Sequence, residues 1–180
     1  MTSLSKKEIA LHWIVGLGMI GLVALGLYMS ETEAYGLYPI HKSFGTILFV
    51  VIVIRAVVRL KKGWPANVSK GKAWEHALAR VVHWVLIVAT LVMPISGMID
   101  SVMIGRGLGV FGLELIADNM DANGEPIAIN KSLGELAGWL HGVFGWILIG
   151  ALVLHIAGAL KHHLIDRDGT LRRMLGATST

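Results

Sequence analysis

Three stretches of this sequence leave little choice of solvent. Residues 9–29, 81–99 and 136–160 run for 21, 19 and 25 residues, and their only ionisable side chains are histidines: His12, His83, and His141 with His155. About 20 consecutive apolar residues carry a helix across the hydrocarbon core of a bilayer. Hydrophobic residues make up 54% of the 180 and charged residues only 16%, against about a quarter charged in an ordinary soluble domain. A soluble fold of this length could not bury so much apolar surface. A fourth span covers residues 38–60, apolar apart from His41, Lys42, Arg55 and Arg59. Its uncharged centre is short, but arginines near a helix end extend to the interface and keep the span viable.

The expected fold is therefore all-α: one integral membrane four-helix domain over residues 1–180, with spans near 8–30, 38–61, 74–103 and 132–163. Pro94 lies inside the third span, where it is expected to kink the helix. The absence of cysteine excludes disulfides, Cys-ligated iron–sulfur clusters, thiol catalysis and covalent C-x-x-C-H haem attachment. The first apolar run is about twice the length of a signal h-region and lacks a small-residue cleavage site, so a retained span is expected.

Charge asymmetry orients the bundle. Of the 16 Lys and Arg residues, only Lys42, Arg106 and Lys131 fall on the side of the 1–2 and 3–4 links. The rest, among them Lys70, lie near the termini and the 2–3 link, so the positive-inside rule places both termini in the cytoplasm. This skew explains the net charge of +4 without nucleic-acid binding. The link of residues 104–131 is long and rich in Gly, Asp and Asn, a length often associated with function.

Histidines carry the chemical signal. An ionisable side chain inside a span is costly and by default faces the bundle interior. For any single one, a hydrogen bond between helices is sufficient explanation. The spacing adds more. His141 and His155 are 14 residues apart, roughly 40° short of four full turns and about 21 Å along one helix. They point the same way yet cannot share an ion. His41, near the outer start of span two, matches the level of His141. His12, near the inner start of span one, matches His155. Two bis-histidine pairs at two depths suit haem b, whose iron takes two axial imidazoles; zinc would want about four clustered ligands. His83 competes with His12 for the inner pair. Gly16, Gly45 and Gly145 each follow His12, His41 and His141 by four residues, where a porphyrin needs small neighbours, and this favours His12.

Further residues have narrower readings. His162 lies on nearly the same stripe as His155, about 10 Å nearer the inner surface; it could donate to a quinone carbonyl or be simply interfacial, as His163 and His76 are expected to be. Arg55 and Arg59 serve as topology determinants and could also pair a haem propionate. Lys42, Arg106 and Lys131 could do the same on the outer side. Residues 16–21, G-L-G-M-I-G, match a dinucleotide-binding fingerprint literally, but no strand precedes them; these glycines are expected to pack helices. Trp13, Trp84, Trp139 and Trp146 read as interfacial or haem-packing residues.

The words ALHW (His12), PIHKSFG (His41), RAVVRL (Arg55, Arg59), ARVVHW with MPISG, WLHGVFGW (His141), LVLHIAGALKHH (His155, His162) and DRDGTLRRML together resemble the prokaryotic cytochrome b561 family, related to the haem b subunits of nickel-iron hydrogenases and formate dehydrogenases. The resemblance covers nearly the whole chain. It implies a bundle carrying two haem b groups, with His12 and His155 on the cytoplasmic haem and His41 and His141 on the periplasmic one. It also implies electron exchange with quinone in the bacterial inner membrane. Some members oxidise periplasmic superoxide and pass the electron to ubiquinone, which would make this chain a superoxide:ubiquinone oxidoreductase.

The expected function is thus electron transfer between a periplasmic donor and the membrane quinone pool. One alternative is a haem b subunit serving a hydrogenase- or dehydrogenase-type partner. A second is a non-haem metal transporter or helical scaffold.

Overall fold

A computed structural model describes residues 4–63 and 71–176; Lys70 lies outside the described residues. Four long helices dominate: α1 (Lys6–Thr32), α2 (Tyr38–Lys62), α3 (Ala73–Met103) and α4 (Lys131–Leu164). All four are long and apolar enough to cross a membrane. Their bounds fall within two residues of the expected spans. A short 3-10 turn (Tyr35–Leu37) precedes α2, and α5 (Thr170–Met174) follows α4. The link between α3 and α4 is not irregular throughout, because β1 (Leu108–Val110) and β2 (Leu113–Ile116) form an antiparallel hairpin.

Local chemistry sets the helix limits. Ser5 caps α1: the Glu8 amide donates to Ser5 Oγ at 3.3 Å, and the Ser5 amide donates back to Glu8 Oε2 at 2.9 Å, the reciprocal pairing that satisfies two orphan donors. The helix stops at Glu33, which adopts φ 52°. Pro39 opens α2, where its missing N–H costs nothing. Asn130 caps α4 by accepting the Leu133 amide at 3.0 Å. α3 runs from Ala73 to Met103 with Pro94 inside it.

Both chain ends meet at one end of the bundle. There Trp13 Nε1 donates to the Met174 carbonyl at 2.8 Å, Lys62 pairs with Glu8 at 3.0 Å, and Lys161 pairs with Glu75 at 3.1 Å. The 104–131 link closes the opposite end, called here the loop end. Its backbone is strapped down by the Ile129 amide on the Met103 carbonyl (2.8 Å) and the Asn119 amide on the Gly105 carbonyl (2.8 Å). Lys42 Nζ donates to the Arg106 carbonyl at 2.8 Å. Further out, amides of Glu125 and Asn123 hold the Asp121 carboxyl below the usual carboxylate range.

Backbones approach most closely between α3 and α4 and between α1 and α2, while α4 stands off from α1 and α2. One layer of side chains fills the middle: Val15 and Met19 on α1, Leu48 and Ile52 on α2, Ala89 on α3 and Leu148 on α4. Outward residues such as Leu17 (61% exposed) and Val153 (61%) are bare, as lipid-facing positions are. Of the glycines in G-L-G-M-I-G, Gly18 alone packs against another helix: a Cβ there would come within 2.9 Å of Leu48 Cδ1. Gly16 and Gly21 face open space, which corrects the expectation that all three pack helices.

Gly18→Leu should therefore force the buried Leu48 aside and destabilise the bundle by about 1–3 kcal/mol, the usual range for overpacking. A lowered thermal midpoint in detergent is the expected reading, and an unchanged midpoint would contradict the close α1–α2 approach.

Candidate functional site

The gaps between α4 and its two distant neighbours are bridged by histidines at two levels. At the loop end, His41 of α2 and His141 of α4 face each other with ring centres 6.3 Å apart and planes at 79°. Toward the terminal end, His155 of α4 lies 6.0 Å from His12 of α1 and 5.4 Å from His83 of α3. The buried mid-bundle layer separates the two clusters.

The loop-end pair lines a cavity of about 680 Å³, within the roughly 300–1,000 Å³ typical of cofactor sites. His141 Nδ1 lies 2.8 Å from the Met93 carbonyl. A carbonyl only accepts, so Nδ1 carries the proton and Nε2 keeps its lone pair, the tautomer an iron ligand needs. The ring lies against Gly97, where a Cβ would come within 3.0 Å of Cε1 and Nδ1. His41 Cε1 would be 3.4 Å from a Cβ on Gly26, and the His41 Nδ1 is buried without a hydrogen-bond partner among the described residues. Gly45 and Gly145 line the same cavity, beside the histidines that precede them by four residues. Two imidazoles on opposite sides of one metal, each nitrogen about 2 Å away, put ring centres roughly 6 Å apart. The spacing and the open glycine-lined volume both fit a haem.

At the other level three imidazoles converge. Arg55 Nη2 lies 3.5 Å from His12 Nδ1, and Trp13 stands edge-on to His12 at 5.5 Å. Among the described residues no carboxylate lies within salt-bridge distance of the half-buried Arg55. Such a cation calls for an anionic partner, and a propionate-bearing ligand supplies one. Arg59 Nη1 donates to the Gly63 carbonyl at 3.2 Å. The His12–His155 spacing matches the bis-imidazole separation, and the His83–His155 spacing is shorter.

His162, one turn from the end of α4, lies beside two carboxylates: its Nδ1 is 2.9 Å from Asp166 Oδ2 and 3.0 Å from Asp168 Oδ2. Lys161 also holds Asp166, at 2.8 Å. Burial pushes the Asp168 carboxyl up, but Thr170 and the His162 ring outweigh it and hold the group below the usual carboxylate range. These three residues also form the cluster best placed to hold a cation among the described residues. Asp166 stands four residues after His162, but Asp168, six residues after it, reaches the ring only because the chain turns beyond the end of α4. Gly26 and Gly97 were missed because they serve histidines on other helices. Lys42 is occupied by Ser101 Oγ (3.2 Å) and the Arg106 carbonyl, while Lys131 pairs with Glu135, at 3.8 Å.

Comparison with known proteins adds identity to this geometry. The family model described as prokaryotic cytochrome b561 matches residues 4–177. The chain is 33% identical over 177 residues to cytochrome b561 homolog 2 of Escherichia coli (strain K12), covering 95% of this chain and 90% of that protein. It is 27% identical to cytochrome b561 homolog 1 of the same organism, covering 97% and 98%. It is 28% identical to a protein of Yersinia pestis named probable superoxide oxidase CybB, covering 95% and 94%. Spanning nearly its full length, the match shows that the chain belongs to the prokaryotic cytochrome b561 family, transmembrane haem b proteins that transfer electrons.

Proposed function

We propose that the chain binds two b haems and carries electrons across the bacterial inner membrane, between a donor on the periplasmic side and the quinone pool. The observation that supports this best is the pair of imidazole clusters bridging α4 to its neighbours, about 21 Å apart along the helix and each at a bis-imidazole separation. On this reading His41 and His141 would hold one haem at the loop end, and His12 and His155 the other at the terminal end. Bound haem b supplies reversible one-electron chemistry at its iron. The chain's residues do the rest. The Met93 carbonyl fixes the His141 tautomer and ring direction. Arg55, with Arg59, neutralises propionate charge. The glycines admit the macrocycle, and the mid-bundle layer keeps water out between the two levels.

Quinone takes two electrons and two protons to become quinol, so a proton source belongs beside the acceptor. His162, held by Asp166 and Asp168 at the terminal end, suits that role and the binding of a quinone carbonyl. With ubiquinone as acceptor and superoxide as donor, two superoxide anions each lose one electron to become dioxygen. The name of the Yersinia relative supports that donor. The basic skew toward the terminal end supports a cytoplasmic position for both termini.

Three measurements test this reading. His12→Ala should lose about half of the bound haem while His83→Ala keeps it; the reverse outcome would move the ligand to α3. Gly97→Val should drive a side chain into the His141 ring and deplete only the loop-end haem, which redox titration resolves as the loss of one component. Reconstituted His162→Phe should reduce a soluble ubiquinone analogue about a hundredfold more slowly, the usual scale of a lost proton donor, with both haems retained. Quinone reduction at the original rate would remove His162 from the acceptor site.

A further inference from the structure

The hairpin at the loop end carries the wrong side chains for a loop in water. Its two-residue turn, Phe111-Gly112, has positive φ at both positions, 48° and 87°, bracketed by the Val110–Leu113 pair. That geometry favours Asn, Asp or Gly, and a bulky side chain at positive φ is an outlier. Phe111 is nevertheless at the tip and 60% exposed, beside Leu113 at 65%. All of β2 is exposed, and isolated two-stranded hairpins are marginal in water.

The tip is not free. The Phe111 ring meets Phe44 of α2 edge-on at 5.1 Å, and the Phe111 amide donates to Ser43 Oγ at 2.9 Å. Ser43 is 2% exposed and donates in turn to the Pro39 carbonyl at 2.6 Å. Phe44 belongs to an outward stripe of α2 with Ile40 and Ile47, all of them exposed, at the i, i+4, i+7 spacing of one helix face.

Depth follows from the helix. Tyr35 and Tyr38, stacked at 6.1 Å at the start of α2, are the residue type that marks the headgroup level. Ser43 and Phe44 lie roughly 8–9 Å further along the axis at 1.5 Å per residue. The 25 residues of α2 span about 37 Å, against a hydrocarbon core of about 30 Å. Phe44 therefore sits inside the boundary even when the excess length is shared between the two ends.

We propose that the tip of the β1–β2 hairpin is a lipid anchor, with Phe111 and Leu113 inserted beside Phe44 into the bilayer leaflet at the loop end. Backbone amides cannot enter hydrocarbon without a partner, and Ser43 provides one for the residue that goes deepest. The apolar surface of the tip is continuous with the lipid-facing stripe of α2, so the bilayer that covers one covers the other. The anchor fixes the link over the mouth of the loop-end cavity, because Lys42, next to Ser43, also holds the Arg106 carbonyl.

The chain has no cysteine, so one introduced thiol reports alone. Phe111→Cys, Asn123→Cys as the water reference and Val50→Cys as the lipid reference are placed, haem-loaded, in phosphatidylcholine nanodiscs holding one chain each. Alkylation by a charged, water-soluble maleimide is then timed, with the haem spectrum confirming the fold. The thiol at 111 should react at least about tenfold more slowly than the one at 123, since each unit by which an apolar surrounding raises a thiol pKa removes nine-tenths of the thiolate. A rate equal to that of the 123 thiol overturns the proposal in favour of a solvated tip. Protection that appears only when two chains share a disc overturns it in favour of a second copy as the cover.

Discussion

An imidazole inside an apolar bundle has no water to satisfy its nitrogens, and every such ring must find a partner or be excluded. Five histidines inside the four spans accept that constraint, and the rest of the architecture follows from how they are matched. The Met93 carbonyl takes the Nδ1 proton of His141. His41 and His141 face each other at one level, and His12 and His83 both approach His155 at the other. The loop-end pair lines a glycine-lined cavity that suits a flat, wide group, and Arg55 beside His12 suits an anionic edge at the other level.

α4 acts as the spine. It carries one histidine of each cluster, packs most closely on α3, and keeps its distance from α1 and α2. Close packing on one side and separation on the other come from small residues: Gly134 and Gly138 face Ile104 and Asp100 of α3, so the two backbones approach. On the open side, large side chains close the gap only at the middle layer, where Leu148 is fully buried. One helix thereby sets the separation between the two histidine levels.

The sequence made the spans readable because a membrane helix writes its length directly into a run of apolar residues. The two levels of histidine were readable for the same reason: residues 141 and 155 share a helix, so their angle and rise follow from helical geometry alone. Relations between helices were not readable. Gly97 and Gly26 make room for rings belonging to α4 and α2, and no spacing along a single helix reveals that. The same holds for the approach of His83 to His155, which periodicity could only leave as a competition with His12. The hairpin is hard to read because Phe111 occupies a turn position where the usual signals are Asn, Asp and Gly, and because its strands are only three and four residues long. Asp166 and Asp168 lie beyond the last apolar run, where no periodicity signals that the chain folds back on His162.

The proposed function requires two haems in this bundle, one at each histidine level. Its most direct test is the haem content of the purified wild-type chain, measured as the pyridine haemochrome against protein determined by amino-acid analysis. Two non-covalently bound b haems per polypeptide are expected. A value of one, or of none after expression with ample haem supply, would contradict it.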